Sequence, residues 1–552
     1  MKGNLIFLLH AHLPYVLSHG RWPHGVDWLN EACAETYIPL LNLFEDLSRE
    51  GYQPHVTLSL SPTVCEMLSQ EEFAEGFERY LSERILASEK ELRVLSTEDP
   101  LYGLAMMWLE FYTSIHRDFR DRYHRDLLSA FRGLQDSGSI ELVTTCATHG
   151  YLPLLSDDGS IRLQIREAVK THRKYFGRPP AGMWLPECAY RPEGMWQNPV
   201  TGATRRRKGI EWFLEEEGIK YIFVDTHMTT GANSISYAAL WNKIDTEYNV
   251  VEAGSVRSPY RVFALGGTAV RVFTRDPSTG VRVWSAQWGY PGDGAYLEFH
   301  KKSFPAGLRY WRVTDRECGL AGKKLYNPDE AAKRVEEHAR NFVELVERVA
   351  SDYFRHTGIP AVIAAPYDAE LFGHWWYEGP QWLRGVIKGL YRCGEVLPVT
   401  AGTYIEGTDP AAGVEIPEGS WGDGGDHKVW FNEQTRWIWR SIYAAESVMR
   451  RVCELSHGKR DGTTERILRQ MARELLLLES SDWPFLVTTG TAKDYAEERV
   501  QKHLEDFKRL GVILERYLEE GAIGEEEEGF IATLEERDNI FPDIDVSNFE
   551  EM

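Results

Sequence analysis

The sequence predicts an α/β fold, a parallel barrel of about seven strands followed by a helical C-terminal region. Three observations predict it. Short apolar stretches alternate with amphipathic, helix-like ones through about residue 400. The apolar stretches end in polar or charged residues, namely His10, His149, Glu187, Asp225, Arg275 and Asp368. Beyond about residue 402 helical patterns dominate. In a closed parallel barrel all strand C-termini share one face, where barrel enzymes carry their chemistry. A doubly wound open sheet has the same alternation and stays open as an alternative.

The first strand is read at residues 5–9, ending at His10-Ala-His12. Its apolar run is short and lacks a small-residue cleavage site, so it reads as a strand and not as a signal-peptide core. A helix around 31–47 and a strand at 55–60 follow. Residues 71–138 carry charged amphipathic helices without strand character, a helical insertion. Strands return at 140–146, before His149-Gly-Tyr151, and after the helix 163–175, where Gly177-Arg-Pro-Pro180 stops it and Ala181-Gly-Met-Trp-Leu-Pro-Glu187 begins. A helix at 209–217 leads to a strand at 221–225, then a Thr/Gly/Ser/Asn-rich loop that carries Tyr237. A strand at 269–273 ends at Arg275, and Val281-Arg-Val-Trp284 leads to Gly289. The long helix 329–354 and the strand 361–365, ending at Asp368, complete the set. The expected division is 1–70 with 139–400 as the barrel, 71–138 as the insertion, and 401–552 as an all-α C-terminal domain. In the last, helices are expected at 433–455, 465–480 and 493–519, and the acidic run Glu525 to Glu528 reads as a solvated tail segment beyond which 541–545 docks.

With 552 residues the chain is long enough for three to four units, or for one large barrel with additions. A formal charge of -22 repels phosphate backbones and anionic membranes, so nucleic acid and membrane surfaces are not expected partners. No run approaches the ~18 apolar residues of a membrane helix. Seven scattered cysteines without a Cys-x-x-Cys pair fit a reducing, cytoplasmic setting. Aromatic residues make up 12%, with 18 Trp, more than packing alone usually needs, and exposed rings stack well on sugar faces.

Glu187 and Asp368 form the leading pair. Both end barrel strands among aromatics, as two carboxyls serving as nucleophile and acid/base would in a retaining glycosidase. The plainer reading is two unrelated, ion-paired acids. His10 and His12, with His149, Asp225 and His374, could assemble a divalent-metal site. Imidazoles also bind sugar hydroxyls and orient carboxylates, and this role is favoured for the histidines. Trp28, Trp284, Trp421 and Trp430 lie near loops at the expected mouth and suit stacking platforms, although each could equally be core. Asp482 is either a cap or a residue that reaches the cleft. Phosphate-binding Gly-rich loops, nucleophile elbows and dinucleotide fingerprints are absent from the sequence.

Five ordered blocks, His10-Ala-His12-Leu-Pro-Tyr15, Cys146-Ala-Thr-His149-Gly-Tyr151, Trp184-Leu-Pro-Glu187, Ala365-Pro-Tyr-Asp368-Ala-Glu-Leu-Phe-Gly-His374 and Ser481-Asp482-Trp-Pro-Phe485, resemble glycoside hydrolase family 57. The resemblance covers nearly the whole chain and is nearest to the 1,4-α-glucan branching enzymes. It implies an incomplete seven-stranded (β/α)7 barrel with a helical insertion after strand two and a helical C-terminal domain. It implies Glu187 as nucleophile and Asp368 as general acid/base, with no metal and no cofactor. His10, His149, Trp284, Trp421, Trp430 and Asp482 are implied to line the glucan groove, and Tyr237 to sit on a mobile loop above it. His12, Trp28, Arg275 and His374 join them as expected substrate contacts. Gln287-Trp288 departs from the smaller pair expected there. The expected partner is α-glucan (amylose, amylopectin or glycogen), as donor and acceptor, with the protein a monomer or small homo-oligomer. An α-amylase or 4-α-glucanotransferase is the nearest rival. A metal-dependent deacetylase or amidohydrolase and a non-catalytic glucan-binding protein are the others.

Overall fold

The computed structural model describes residues 1–231, 258–285, 288–315 and 317–549. Strand β1 (Gly3–Ala11) is apolar almost throughout and buried, as expected of a parallel strand covered on both faces. It pairs in parallel with β2 (Val56–Leu60) and with β10 (Ala361–Asp368), whose register sets His10 opposite Asp368. Strand β2 pairs with β3 (Ile140–Val143). A single bridge joins Thr144 to Met183 of β4 (Gly182–Met183), and β4 pairs with β7 (Tyr221–Val224). Strand β7 pairs with β9 (Arg271–Thr274), and a second single bridge, Arg275 to Ala364, returns the pairings to β10. All these pairings are parallel.

Side-chain alternation divides these strands between two cores. On β1, Leu5, Phe7 and Leu9 belong to the large core, whereas Ile6 and Leu8 belong to a smaller one with Val143, Trp184, Tyr221, Phe223, Phe273, Val362 and Ala364. Successive residues of a strand point to opposite faces. Continuing each series past the smaller core therefore puts His10, Asp225, Arg275 and Asp368 on its face, at the strand ends. Glu187 breaks this rule, because it lies three residues after Trp184.

Five strands lie outside the parallel set and went unrecognised in the sequence. The hairpin β5 (Gly194–Gln197) with β6 (Thr204–Arg207) is largely exposed. Strand β8 (Phe263–Leu265) runs antiparallel to β9 and pairs with β12 (Gly413–Val414), and β11 (Val396–Pro398) adds to β1. Between β2 and β3 stand helices Glu71–Val94, Pro100–Arg117 and Leu127–Asp136, as expected. The segment Val281 to Trp284 is the end of a helix, Pro277–Trp284, started by Pro277 and by the Asp276 side chain accepting from Thr279 N–H. Part of the Thr-rich loop is likewise a short helix, Thr226–Thr230.

Beyond Gly407, helices Arg436–Ser456, Gly462–Leu478 and Lys493–Glu520 match expectation closely. The acidic run Glu525 to Glu528 is a correction. It opens helix Glu525–Arg537, where Glu526 pairs with Arg509 at 3.0 Å and Glu528 with Arg466 at 2.5 Å. Negative charge suits a helix N-terminus, which explains why the run is ordered.

Gly373 adopts φ of 116°, and a Cβ there would overlap the carbonyl oxygen of Glu35. Gly373→Ala is therefore expected to destabilise the protein by about 3 kcal/mol or more, read as a lowered Tm or loss of soluble protein.

A buried network ties the N-terminal segment to the C-terminal helices. His19 Nε2 lies 2.6 Å from Asp538 Oδ1, and His503 Nδ1 lies 2.7 Å from Glu474 Oε2. Arg537 pairs with Asp538 and Asp506, and Arg499 donates to His503 Nε2 at 3.1 Å. His19, His503 and Asp538 also have the proximity of a cation site. However, the two arginines already occupy His503 and Asp538. Burial, reinforced by the Arg499 charge, lowers the His19 pKa to about 4, and burial drives that of His503 well below its usual value. An unfolded histidine takes a proton near pH 6.5 that folded His19 refuses until pH 4. Stability is thus full above pH 6.5 and falls between about pH 6.5 and 4, by on the order of 3 kcal/mol from His19. The urea midpoint should drop across that window, with a shallower slope in His19→Gln.

Candidate active site

Each part of the site is fixed by its own strand end. His10 and His12 leave β1 on one face, their rings stacked at 5.8 Å. His149 follows β3 in a left-handed turn with φ of 58°, and its ring lies 4.1 Å from that of His12 and 5.1 Å from that of His10. His10 Nε2 meets His149 Nε2 at 3.1 Å, and each ring is held from behind by a hydroxyl: His10 Nδ1 by Ser59 at 3.2 Å, His149 Nδ1 by Ser481 at 2.8 Å. Burial first, then neighbouring imidazoles, keep the pKa values of His10 and His149 well below the usual range. Both are neutral at physiological pH, with one proton shared across the Nε2 contact.

The C-terminal segment completes this group. Ser480 bridges to Gly150, and Ser481 N–H donates to the His149 carbonyl at 3.1 Å. Asp482 then accepts from His12 Nε2 at 3.0 Å and from Ser480 Oγ at 2.5 Å. Burial alone would raise the Asp482 pKa, but the contact with His12, with further help from His149 and Ser480, holds it at about 2. Asp482 is therefore a fixed negative charge.

Glu187 sits in a short turn at φ 61°, ψ 25°, followed by Cys188 at φ 52°. Non-glycine residues rarely adopt this region, and strain of this kind gathers at functional sites. The turn does structural work here: it reverses the strand alternation and swings the carboxyl onto the face where Asp368 lies. Trp421 donates from its indole Nε1 to Glu187 Oε2 at 2.7 Å and from its backbone to the Glu187 carbonyl at 3.0 Å. His149 Nδ1 stands 3.9 Å from Glu187 Oε1. Burial and the charges of Asp368 and Asp482, set against the Trp421 hydrogen bond, raise the Glu187 pKa to about 8. Burial and the charge of Glu370, set against Arg275, raise that of Asp368 to about 8. The Glu187 side chain remains 16% exposed, so the pair is open to a ligand.

Around the pair, Trp421 meets Trp184 edge-on at 4.9 Å and Trp284 at 6.1 Å, with the Arg275 guanidinium 5.4 Å above its ring. Arg275 is anchored to Asp225 at 2.8 Å, and this ion pair fixes a cation close to Asp368. Three expected contacts stand apart. His374 bonds through Nδ1 to Glu35 at 2.7 Å, Trp28 packs edge-on against Tyr495 at 5.5 Å, and Trp430 is buried, stacked on Tyr151 at 4.7 Å. With His374 on Glu35 and Asp225 on Arg275, the wider metal-ligand set does not converge on the three imidazoles. Trp430 is core beneath the Trp421 loop, because its indole fills the space between Tyr151 and Gly422. Tyr237 and Gln287 lie outside the described residues, and Trp288 is exposed.

Sequence reasoning missed Ser59, Ser481 and Glu370. Glu370 accepts from Tyr37 OH at 2.5 Å and from His12 N–H at 3.2 Å, bracing His12 from below. Its position two residues past Asp368 was the available signal.

Residues 6–410 match the profile of glycosyl hydrolase family 57, and the chain belongs to that family. Residues 441–549 match the C-terminal domain of 1,4-alpha-glucan branching enzymes. The chain is 44% identical to a 1,4-alpha-glucan branching enzyme of Thermococcus kodakarensis, over 100% of this chain and 79% of that one. A crystal structure of a branching enzyme of this family from Pyrococcus horikoshii superposes with a TM-score of 0.90 at 41% identity, covering 100% of this chain and 97% of the other. An alpha-amylase of Thermotoga maritima superposes with a TM-score of 0.82 at 30% identity, covering both chains fully (100%).

Proposed function

We propose that this protein is a 1,4-α-glucan branching enzyme, a retaining transglycosylase that cleaves α-1,4 bonds and forms α-1,6 branches in glycogen-like glucans. The observation that carries the reading is the left-handed turn at Glu187, which brings its carboxyl into electrostatic reach of Asp368 beneath the Trp421 indole. In this reading the seven strands whose pairings return on themselves are an incomplete (β/α)7 barrel, residues 71–138 are its helical insertion, and residues 401–552 are a helical C-terminal domain.

Glu187 is the nucleophile and Asp368 the general acid/base. Two raised carboxyls in contact by charge hold one proton between them, and surroundings decide who keeps it. Glu187 receives an N–H from Trp421, which favours its anion, and Asp482 opposes it; for Asp368 the charge of Glu370 opposes the anion and that of Arg275 favours it. In this reading Asp368 keeps the proton, and Glu187, held by Trp421, is the anion. It protonates the glycosidic oxygen as Glu187 attacks the anomeric carbon, giving a glycosyl-enzyme and freeing one glucan end. Asp368, now ionised, takes the proton from the 6-hydroxyl of a second chain, whose oxygen displaces Glu187 and closes the branch. Two inversions retain configuration. His10, His12, His149 and Asp482 bind sugar hydroxyls, with Trp284 and Trp421 as walls that limit water. Since Asp368 must carry a proton, activity is expected to fall as pH rises through about 8, and a pH profile of initial rates checks this.

Hydrolysis and transfer use the same two carboxyls, so the likeness to an alpha-amylase leaves their separation to experiment. The linkage composition of products made from linear amylose tests the reading. New α-1,6 linkages, released by a debranching enzyme, are expected; shortened linear chains alone would replace it with an α-amylase. The seven free cysteines are consistent with a cytoplasmic place in glycogen assembly.

A further inference from the structure

We propose that the buried guanidinium of Arg191 seats a small monovalent anion of chloride size, on the segment that links Glu187 to the Trp421 loop. Arg191 directly follows Tyr190, whose N–H and C=O exchange hydrogen bonds with Gly419 at 2.9 and 3.0 Å. Its side chain is buried, with the whole residue 2% exposed. Nη1 donates to the carbonyls of Lys208 at 2.9 Å and Pro192 at 3.4 Å. Among the described residues, Nε and Nη2 have no acceptor, although both are buried. These two N–H groups form one edge of the planar guanidinium, the parallel fork that grips anions.

The acids nearby are committed elsewhere. Asp158 accepts from Arg207 Nε at 2.9 Å. Glu211 accepts from Tyr190 OH at 2.7 Å and Glu193 N–H at 3.3 Å, and Glu418 is bonded to His427 at 2.8 Å. Arg207 adds like charge, so that burial and Arg207 together lower the Arg191 pKa to about 10. A buried charge left without a partner is strongly destabilising, which a bound anion relieves. The same neighbours select its class. Asp158, Glu211 and Glu418 repel multiply charged ions, and Arg207 is turned to other acceptors, with Nη1 on the Leu155 carbonyl and Nε and Nη2 on Asp158.

The seat would act on the chemistry through the backbone. Arg191 fastens the β5–β6 hairpin at Lys208, and the Tyr190–Gly419 pair leads two residues on to Trp421, which holds Glu187. Neutralising Arg191 therefore steadies both ends of that segment.

The test uses the intact enzyme and does not depend on the product it makes. In crystals soaked in sodium bromide, an anomalous peak is expected beside Nε and Nη2 of Arg191. In solution, replacing gluconate by chloride at constant ionic strength should raise Tm, because the ion binds only the folded chain, and should raise kcat/KM by about twofold or more. Arg191→Met should lose both the peak and the chloride response. The bromide peak decides the matter even if that variant fails to fold. No peak at this edge, or a peak and chloride response that survive in Arg191→Met, would overturn the proposal.

Discussion

Glu187→Gln is expected to lower kcat on amylose by about 10⁴-fold or more, while binding of the glucan chain changes little. The amide keeps the shape of the carboxylate, and its oxygen still accepts the Trp421 indole N–H that holds Glu187 at 2.7 Å. What disappears is the anion able to form a bond to the anomeric carbon. The rate is read from the loss of iodine staining, and binding from affinity electrophoresis in amylose gels. A variant within about tenfold of the parent rate would remove Glu187 from the reaction.

Asp368→Asn is expected to cost about 10³-fold on natural glucan, where the leaving oxygen needs a proton, and far less on a donor with a good leaving group. Azide separates this residue from Glu187. With Asp368 gone, the glycosyl-enzyme still forms from an activated donor, but no base activates the incoming hydroxyl. Azide needs no base. It displaces Glu187 from the face that Asp368 guarded, and the product is an α-glycosyl azide with the configuration of the substrate. A β-glycosyl azide, or no rescue, would exchange or abolish the assigned roles. The two experiments together distinguish a nucleophile from a proton carrier by product stereochemistry as well as by rate.

Much of this arrangement was legible in the sequence, because period-two alternation is a local property. Ile6, Leu8 and His10 share a face by spacing alone, as do Val362, Ala364 and Asp368, and Tyr221, Phe223 and Asp225. Helices from residue 436 onward were legible for the same kind of reason, a 3.6-residue apolar period. The failures have non-local causes. Glu187 falls out of the alternation and is rescued by a backbone conformation that no residue pattern announces. Trp430 looked like a platform since it neighbours Gly-rich turns, yet Tyr151, far away in sequence, claims its face. The partner of His374 is Glu35, more than 300 residues earlier, and spacing within one strand carries no trace of it. Arg191 was passed over because its oddity is a missing acceptor, visible only once its surroundings are known.

The stitch between Gly150 and Ser480 has a consequence for biosynthesis. Asp482 and Ser481, which hold His12 and His149 in place, are translated more than 300 codons after those histidines. Until that late segment emerges from the ribosome and docks, the imidazoles lack their keepers. A polypeptide that ends before this segment therefore carries Glu187 and Asp368 but lacks the groups that hold His12 and His149, and on the proposed reading it is inert.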